Sequence, residues 1–169
     1  MKKILIAACA LTAFSTTVFA QDAKHFDGGY IGGEIGYQDS GSGLNGIYYG
    51  ATAGFRKQTD GNFVYGIEGN LGKANIDFGG VSNIIDNQWS AMGTIGWVFG
   101  DENRDMFSLG AGYVRVKASA LGFSSTGDGI SSFAGYERAI GDNLSFRLRV
   151  TSYDAFDTFI GSAGFGFRF

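Results

Sequence analysis

The chain has no proline, one cysteine (Cys9) and one histidine (His25) in 169 residues. Each scarcity excludes something. Proline cannot donate to a sheet ladder, so its absence suits a sheet whose strands are all paired on both sides. A lone cysteine forms no intrachain disulfide. One histidine cannot build a zinc cluster, and His25 precedes the first predicted strand, which argues against a serine–histidine mechanism. Beyond the first twenty residues no apolar run is long enough for a membrane helix. The net charge of −3 lacks the basic surplus that nucleic acid requires.

The N-terminus carries a short basic stretch (Lys2, Lys3), an apolar run from Ile4 to Phe14, and a small-x-small site at Val18-Phe19-Ala20. This predicts a secretory signal peptide over residues 1–20, removed before Gln21. Ile6-Ala7-Ala8-Cys9 imitates a lipoprotein box, but cleavage before Cys9 would leave too short a signal. Residues 21–169 then form one domain with no cysteine. Without Lys2 and Lys3, eleven basic residues face sixteen acidic ones, a net charge of −5.

What the chain does have is glycine (29 residues) and aromatics (15 %) in a period of two. From Phe159 to Phe169 every second residue is apolar or glycine, and the residues between are small or polar apart from Ile160. A period of two predicts a strand with one apolar and one polar face. The pattern recurs in eight segments: Gly29–Gln38, Gly46–Arg56, Asn62–Lys73, Gln88–Phe99, Met106–Lys117, Gly129–Ile140, Leu144–Tyr153 and Thr158–Phe169. Each has the length of a tilted membrane-crossing strand. The sixth fits least well, with Phe133 and Arg138 both on the wrong face.

The connections Lys57–Gly61, Gly100–Asp105 and Gly141–Asn143 are tight and rich in Gly, Asp and Asn, as hairpin turns are. Asp39–Asn45, Ala74–Asn87 and Ala118–Asp128 read as longer loops, and Asp154–Asp157 as a short one. Short turns on one rim and longer loops on the other match an outer-membrane barrel, with the short rim and both termini in the periplasm. The expected fold is therefore all-β: an eight-stranded antiparallel up-and-down transmembrane β-barrel. A soluble sandwich with its aromatics in a central core is the alternative.

In the barrel, Phe55, Phe63, Trp97, Phe99, Phe107, Phe146, Phe167 and Phe169 would ring the periplasmic edge. Tyr37, Tyr49, Trp89, Tyr113 and Phe159 would ring the outer edge, giving two aromatic girdles. The opposite face carries Glu34, Arg56, Glu68, Glu137, Arg147, Arg149 and Arg168. These charges must be paired or hydrated in an interior just wide enough for side chains. A turn symmetric about Asp142 sets Glu137 across from Arg147; Glu34 and Glu68 need Arg149, Arg56 or water. The cluster reads as a structural plug, with a gate or narrow ion path as the alternative. Arg115 and Lys117 fall outward near the outer rim, where they meet lipopolysaccharide phosphates or simply solvent.

Other motifs fail. Asp101-x-Asn103-x-Asp105 starts like a calcium loop but has Met106 and Gly112 where glycine and glutamate are needed. Gly32-Gly33-Glu34-Ile35-Gly36 has no helix after it and is no phosphate loop. No cofactor, metal or catalytic residue is expected.

Gly29-Tyr30-Ile31-Gly32-Gly33-Glu34-Ile35-Gly36-Tyr37 and Gly164-Phe165-Gly166-Phe167-Arg168-Phe169 carry a resemblance across residues 21–169. The chain resembles the small bacterial outer-membrane barrels of the OmpA-type transmembrane domain, opacity-protein and Omp25-like surface-antigen group. The resemblance implies a non-enzymatic structural or surface role, or a narrow porin-like channel. It also implies outer-membrane lipid, lipopolysaccharide, periplasmic chaperones and the barrel assembly machinery as partners, with Phe169 as the assembly signal. Ending at the barrel, the chain resembles no peptidoglycan-binding protein, and its loops are modest for an adhesin.

Overall fold

The computed structural model describes residues 24–41, 44–76, 85–120, 123–154 and 157–169. The signal-peptide segment with Cys9, and its cleavage site, lie outside the described residues. The strands are β1 Gly28–Asp39, β2 Asn45–Gln58, β3 Phe63–Ile76, β4 Ile85–Phe99, β5 Asp105–Ala120, β6 Phe123–Ala139, β7 Leu144–Tyr153 and β8 Thr158–Arg168. Each pairs antiparallel with its chain neighbours and β8 returns to β1, so the sheet closes into a barrel. Closure removes the sheet edges over the paired height. A short 3₁₀ turn at Asp101–Asn103 links β4 to β5.

Cross-strand partners lead from Phe63 through Trp97, Phe107, Tyr136, Leu148, Ala163, Ile35 and Tyr49 back to β3 at Lys73. The ring closes ten residues along the strand from where it started. That stagger tilts the strands, as barrel closure requires.

Alternation decides which side chains face in. On β4, Trp89, Ala91, Gly93, Ile95, Trp97 and Phe99 are exposed, while Gln88, Ser90, Met92, Thr94, Gly96 and Val98 are buried. On β2, Ile47, Tyr49, Ala51, Ala53 and Phe55 are exposed, and Tyr48, Thr52 and Arg56 are buried. Most of the large rings therefore lie outside and several charges inside, which excludes the sandwich.

Two expectations change. Ala118–Asp128 is not a loop: β5 and β6 stay paired as a ribbon to Ala120↔Phe123, with β4 beside β5 as far as Ala118. Ala74 and Ile76 belong to β3 and are buried, beyond a register shift between Gly72 and Ala74. The discordant sixth segment also resolves. Phe133 faces inward over its partner Gly110, where a Cβ would collide with the ring. Arg138 faces outward and pairs with Asp105 at 3.1 Å.

The lumen has three tiers. At the rim away from the N-terminus, Tyr48, Ala74, Ile76, Val114, Val116, Tyr153 and Ile160 form an apolar cluster. At the other rim, Phe26, Val64, Val98, Met106 and Ala139 form a second. The charged residues lie between. The second cluster takes in the segment ahead of β1 through Phe26. His25 and Phe26 are buried in the barrel mouth, and the Phe26 N–H donates to Gln58 Oε1 at 3.1 Å. Asp27 accepts from the Gln58 N–H and Lys57 Nζ, each at 3.0 Å, and pins the segment to β2.

Candidate functional site: charges across the lumen

Two carboxylates and three guanidiniums meet in the middle tier. Arg56 on β2 grips Glu137 on β6 with both terminal nitrogens, at 2.9 and 3.2 Å. Arg149 on β7 grips Glu68 on β3 the same way, at 2.6 and 2.9 Å. In a ring of eight, β2 and β6 stand four strands apart, and so do β3 and β7. Both ion pairs therefore cross the barrel's full width. Arg147 joins them, with Nη2 2.8 Å from Glu68 and Nε 3.2 Å from its register partner Glu137.

Polar neighbours complete the valences. The Tyr30 hydroxyl donates to Glu68 at 2.6 Å, and Asn70 Nδ2 donates to it at 3.1 Å. The Ser145 hydroxyl donates to Glu137 at 2.6 Å. The Arg56 guanidinium carbon lies 3.8 Å from the Tyr30 ring centre, and that of Arg149 lies 4.0 Å from the Phe133 ring centre. Burying an ion costs several kcal/mol, recovered only when its remaining donors or lone pairs are matched. Here they are matched on both carboxylates. A cavity beside Tyr30, Arg56, Glu68, Phe133 and Arg147 holds about 10 Å³, room for roughly one water.

The other two predicted lumen charges stand apart. Glu34 accepts from the hydroxyls of Tyr48 and Ser162, each at 3.0 Å, and has no ion-pair partner among the described residues. Arg168 turns to the rim and donates through Nη2 to the Asp142 carbonyl; its Nη1 is buried without a partner. Tyr30, Asn70, Ser145 and Phe133 complete the site yet carry no charge signal in the sequence. Only their inward parity marks them.

On the outside, Tyr37, Tyr49, Phe55, Phe63, Trp89, Trp97, Phe99, Phe107, Tyr113, Phe159 and Phe167 are exposed. Phe146 is half-buried, its ring edge-on to Phe165 at 5.7 Å. The Trp89 and Tyr113 rings meet at 5.4 Å between centres, tilted by 53°. Exposed Tyr65 and Phe165 were not among the girdle residues read from the sequence. The Phe169 N–H donates to the Gly29 carbonyl at 3.0 Å, with its ring over the Gly29 Cα, where a Cβ would clash. Outward Arg115 is bound to Asp128 at 2.6 Å, and Tyr113 donates to the same carboxylate.

A closed eight-stranded barrel with an apolar aromatic exterior and ionic interior has the fold of a bacterial outer-membrane β-barrel. Similar solved structures bear this out. The N-terminal barrel domain of Pseudomonas aeruginosa OprF shares 13 % identity at a TM-score of 0.60, covering 85 % of this chain and 98 % of that one. Neisserial surface protein A shares 16 % at 0.58, with 85 % and 98 % covered. Ail, the attachment invasion locus protein of Yersinia pestis, shares 18 % at 0.51, with 85 % and 99 % covered. No family model matches the chain, and no curated protein matches it.

Proposed function

We propose that this chain is a non-enzymatic integral protein of the bacterial outer membrane with a structural or surface role, and that its lumen does not conduct. The observation that carries the reading is the pair of ion pairs spanning the lumen, with an apolar cluster above and another below. A hydrated ion would have to strip its shell at each cluster and displace matched charges between them, and both steps are costly. A surface role is in keeping with two barrels of this fold, a surface protein and an attachment protein.

The short connections and the N-terminal segment face the periplasm in this reading, and the β5–β6 ribbon faces outward. Lipid and lipopolysaccharide wet the aromatic exterior. Phe169 is the residue read by the assembly machinery, after periplasmic chaperones deliver the chain. The sole histidine, buried beside Phe26, is poorly placed for chemistry at the outer rim.

Planar-bilayer recording on the purified full-length barrel tests the closed lumen. No steady conductance is expected; reproducible unitary steps would replace this reading with a narrow channel. An impermeant thiol reagent on intact cells should label Ser124→Cys and spare Asp142→Cys. The reverse pattern would invert the orientation.

A further inference from the structure

We infer that residues Lys24 to Phe26 are an acid-released plug of the barrel mouth, with His25 as its sensor. The inference goes beyond the proposed function and holds whether or not the lumen conducts. The backbone bends at Gly28 with φ of 103°, a conformation that glycine adopts freely, and the segment ahead of it lies in the mouth. Phe26 is 1 % exposed and closes the cluster of Val64, Val98, Met106 and Ala139. His25, beside it, is 6 % exposed.

The wedge is held by few bonds. The Phe26 N–H donates to Gln58 Oε1, and Lys24 Nζ lies 2.7 Å from Asp60. The Asp60 side chain is almost wholly in solvent, where an ion pair holds weakly. Asp27, with its two bonds to β2, anchors the segment whether the plug is in or out.

The charges that face His25 come from three elements. Arg104 and Glu102 belong to the turn between β4 and β5, Asp142 to the turn between β6 and β7, and Arg168 to β8. Arg104 is already matched to Glu102 at 2.6 Å, and Arg168 donates to the Asp142 carbonyl. Further in, Arg56 and Glu137 are matched to each other. A charged imidazole would be one more cation in a dry mouth. Burial, then Arg168 and Arg104, hold its pKa below the ordinary value, outweighing Asp142 and Glu102. Swung into water, the ring would titrate near about 6.5. Above that value it is neutral in both positions. Below it the released ring takes the proton first, so acid draws the segment out. Between pH 7 and pH 5 the ratio of released to plugged chains can rise by at most about 25-fold. The hydrogen bond from Lys24 pushes the Asp60 carboxyl down, away from this range.

The test uses the full barrel in lipid nanodiscs with isotope-labelled methionine methyls, read by NMR against a soluble gadolinium chelate. Past residue 20 the chain has two methionines, Met92 and Met106. Met106 shares the cluster that Phe26 closes, whereas the Met92 sulfur lies 3.2 Å from the Ser131 hydroxyl on β6. Broadening of the Met106 methyl should rise several-fold from pH 7 to pH 5, with Met92 unchanged. His25→Asn should keep Met106 shielded at both pH values. Arg168→Met takes one cation from beside the ring and should weaken the response. Should His25→Asn fail to fold, that second variant carries the test, and an unchanged response in it overturns the inference. So does a Met106 response that is absent from wild type, survives in His25→Asn or is shared by Met92. An imidazole that turns into solvent while the Phe26 amide stays protected from exchange overturns it too.

Discussion

Ile67 and Glu68 are neighbours on β3, and they live in opposite solvents. Ile67 is 69 % exposed and Glu68 only 3 %. A water-soluble protein would reverse them. The outer face asks only for apolar surface, which many residues supply, and rings at its two ends. The inner face asks for matched charge and hydrogen bonds, because an unmatched ion there has no water to fall back on. Stability should therefore respond to identity inside and to polarity outside.

The largest expected effect breaks the inner face. Glu68→Gln leaves Arg147 and Arg149 short of counter-charge and should cost about 3–5 kcal/mol, read as urea-induced unfolding from lipid bilayers. A loss below about 1 kcal/mol would mean that water already neutralises those groups. Next comes the outer face: Ile67→Arg, near mid-membrane, should cost about 2–4 kcal/mol, whereas Phe63→Arg, near the rim, should cost about 0–1 kcal/mol beyond the lost ring.

A smaller contrast separates two inward arginines. Arg149→Met gives up the bidentate grip on Glu68, which keeps Arg147, for a loss of about 1.5–3 kcal/mol. Arg168→Met gives up a bond to a rim carbonyl and should stay within about 0.5 kcal/mol of wild type. Equal effects would erase the distinction drawn between them.

The smallest effect is a pH dependence. Burial, then Arg168 and Arg104, push the His25 pKa down, against a weaker pull upward from Asp142 and Glu102. Above the unfolded value of about 6.5 the ring is neutral in both states and contributes nothing. Below it the unfolded chain takes up the proton first, so stability falls as pH falls toward the folded pKa. Melting temperatures between pH 7 and pH 5 should fall less in His25→Asn than in wild type; parallel curves would show that His25 does not couple to the mouth.

Much of this was legible because a period of two is hard to imitate. The second, fourth and seventh strands alternate cleanly, and Glu137 against Arg147 follows from a turn centred on Asp142. The sixth strand misled because Phe133 belongs inside only when Gly110 lies opposite, a pairing that no local pattern reveals. The upper ribbon read as a loop because Ser124, Ser125 and Thr126 are all exposed, so nothing there forces alternation. The long-range pairs, Arg56 with Glu137 and Arg149 with Glu68, depend on stagger and on side chains reaching across the barrel. Phe26 went unnoticed because a residue plugging the mouth from outside a strand has no period to share.

The most direct measurement is a double-mutant cycle on Glu68→Leu and Arg149→Met in the bilayer-embedded barrel, each variant unfolded in urea. If opposite walls are tied through these side chains, the double variant should be less destabilised than the two singles together, by roughly 1–3 kcal/mol. Strict additivity would contradict a lumen braced by ion pairs.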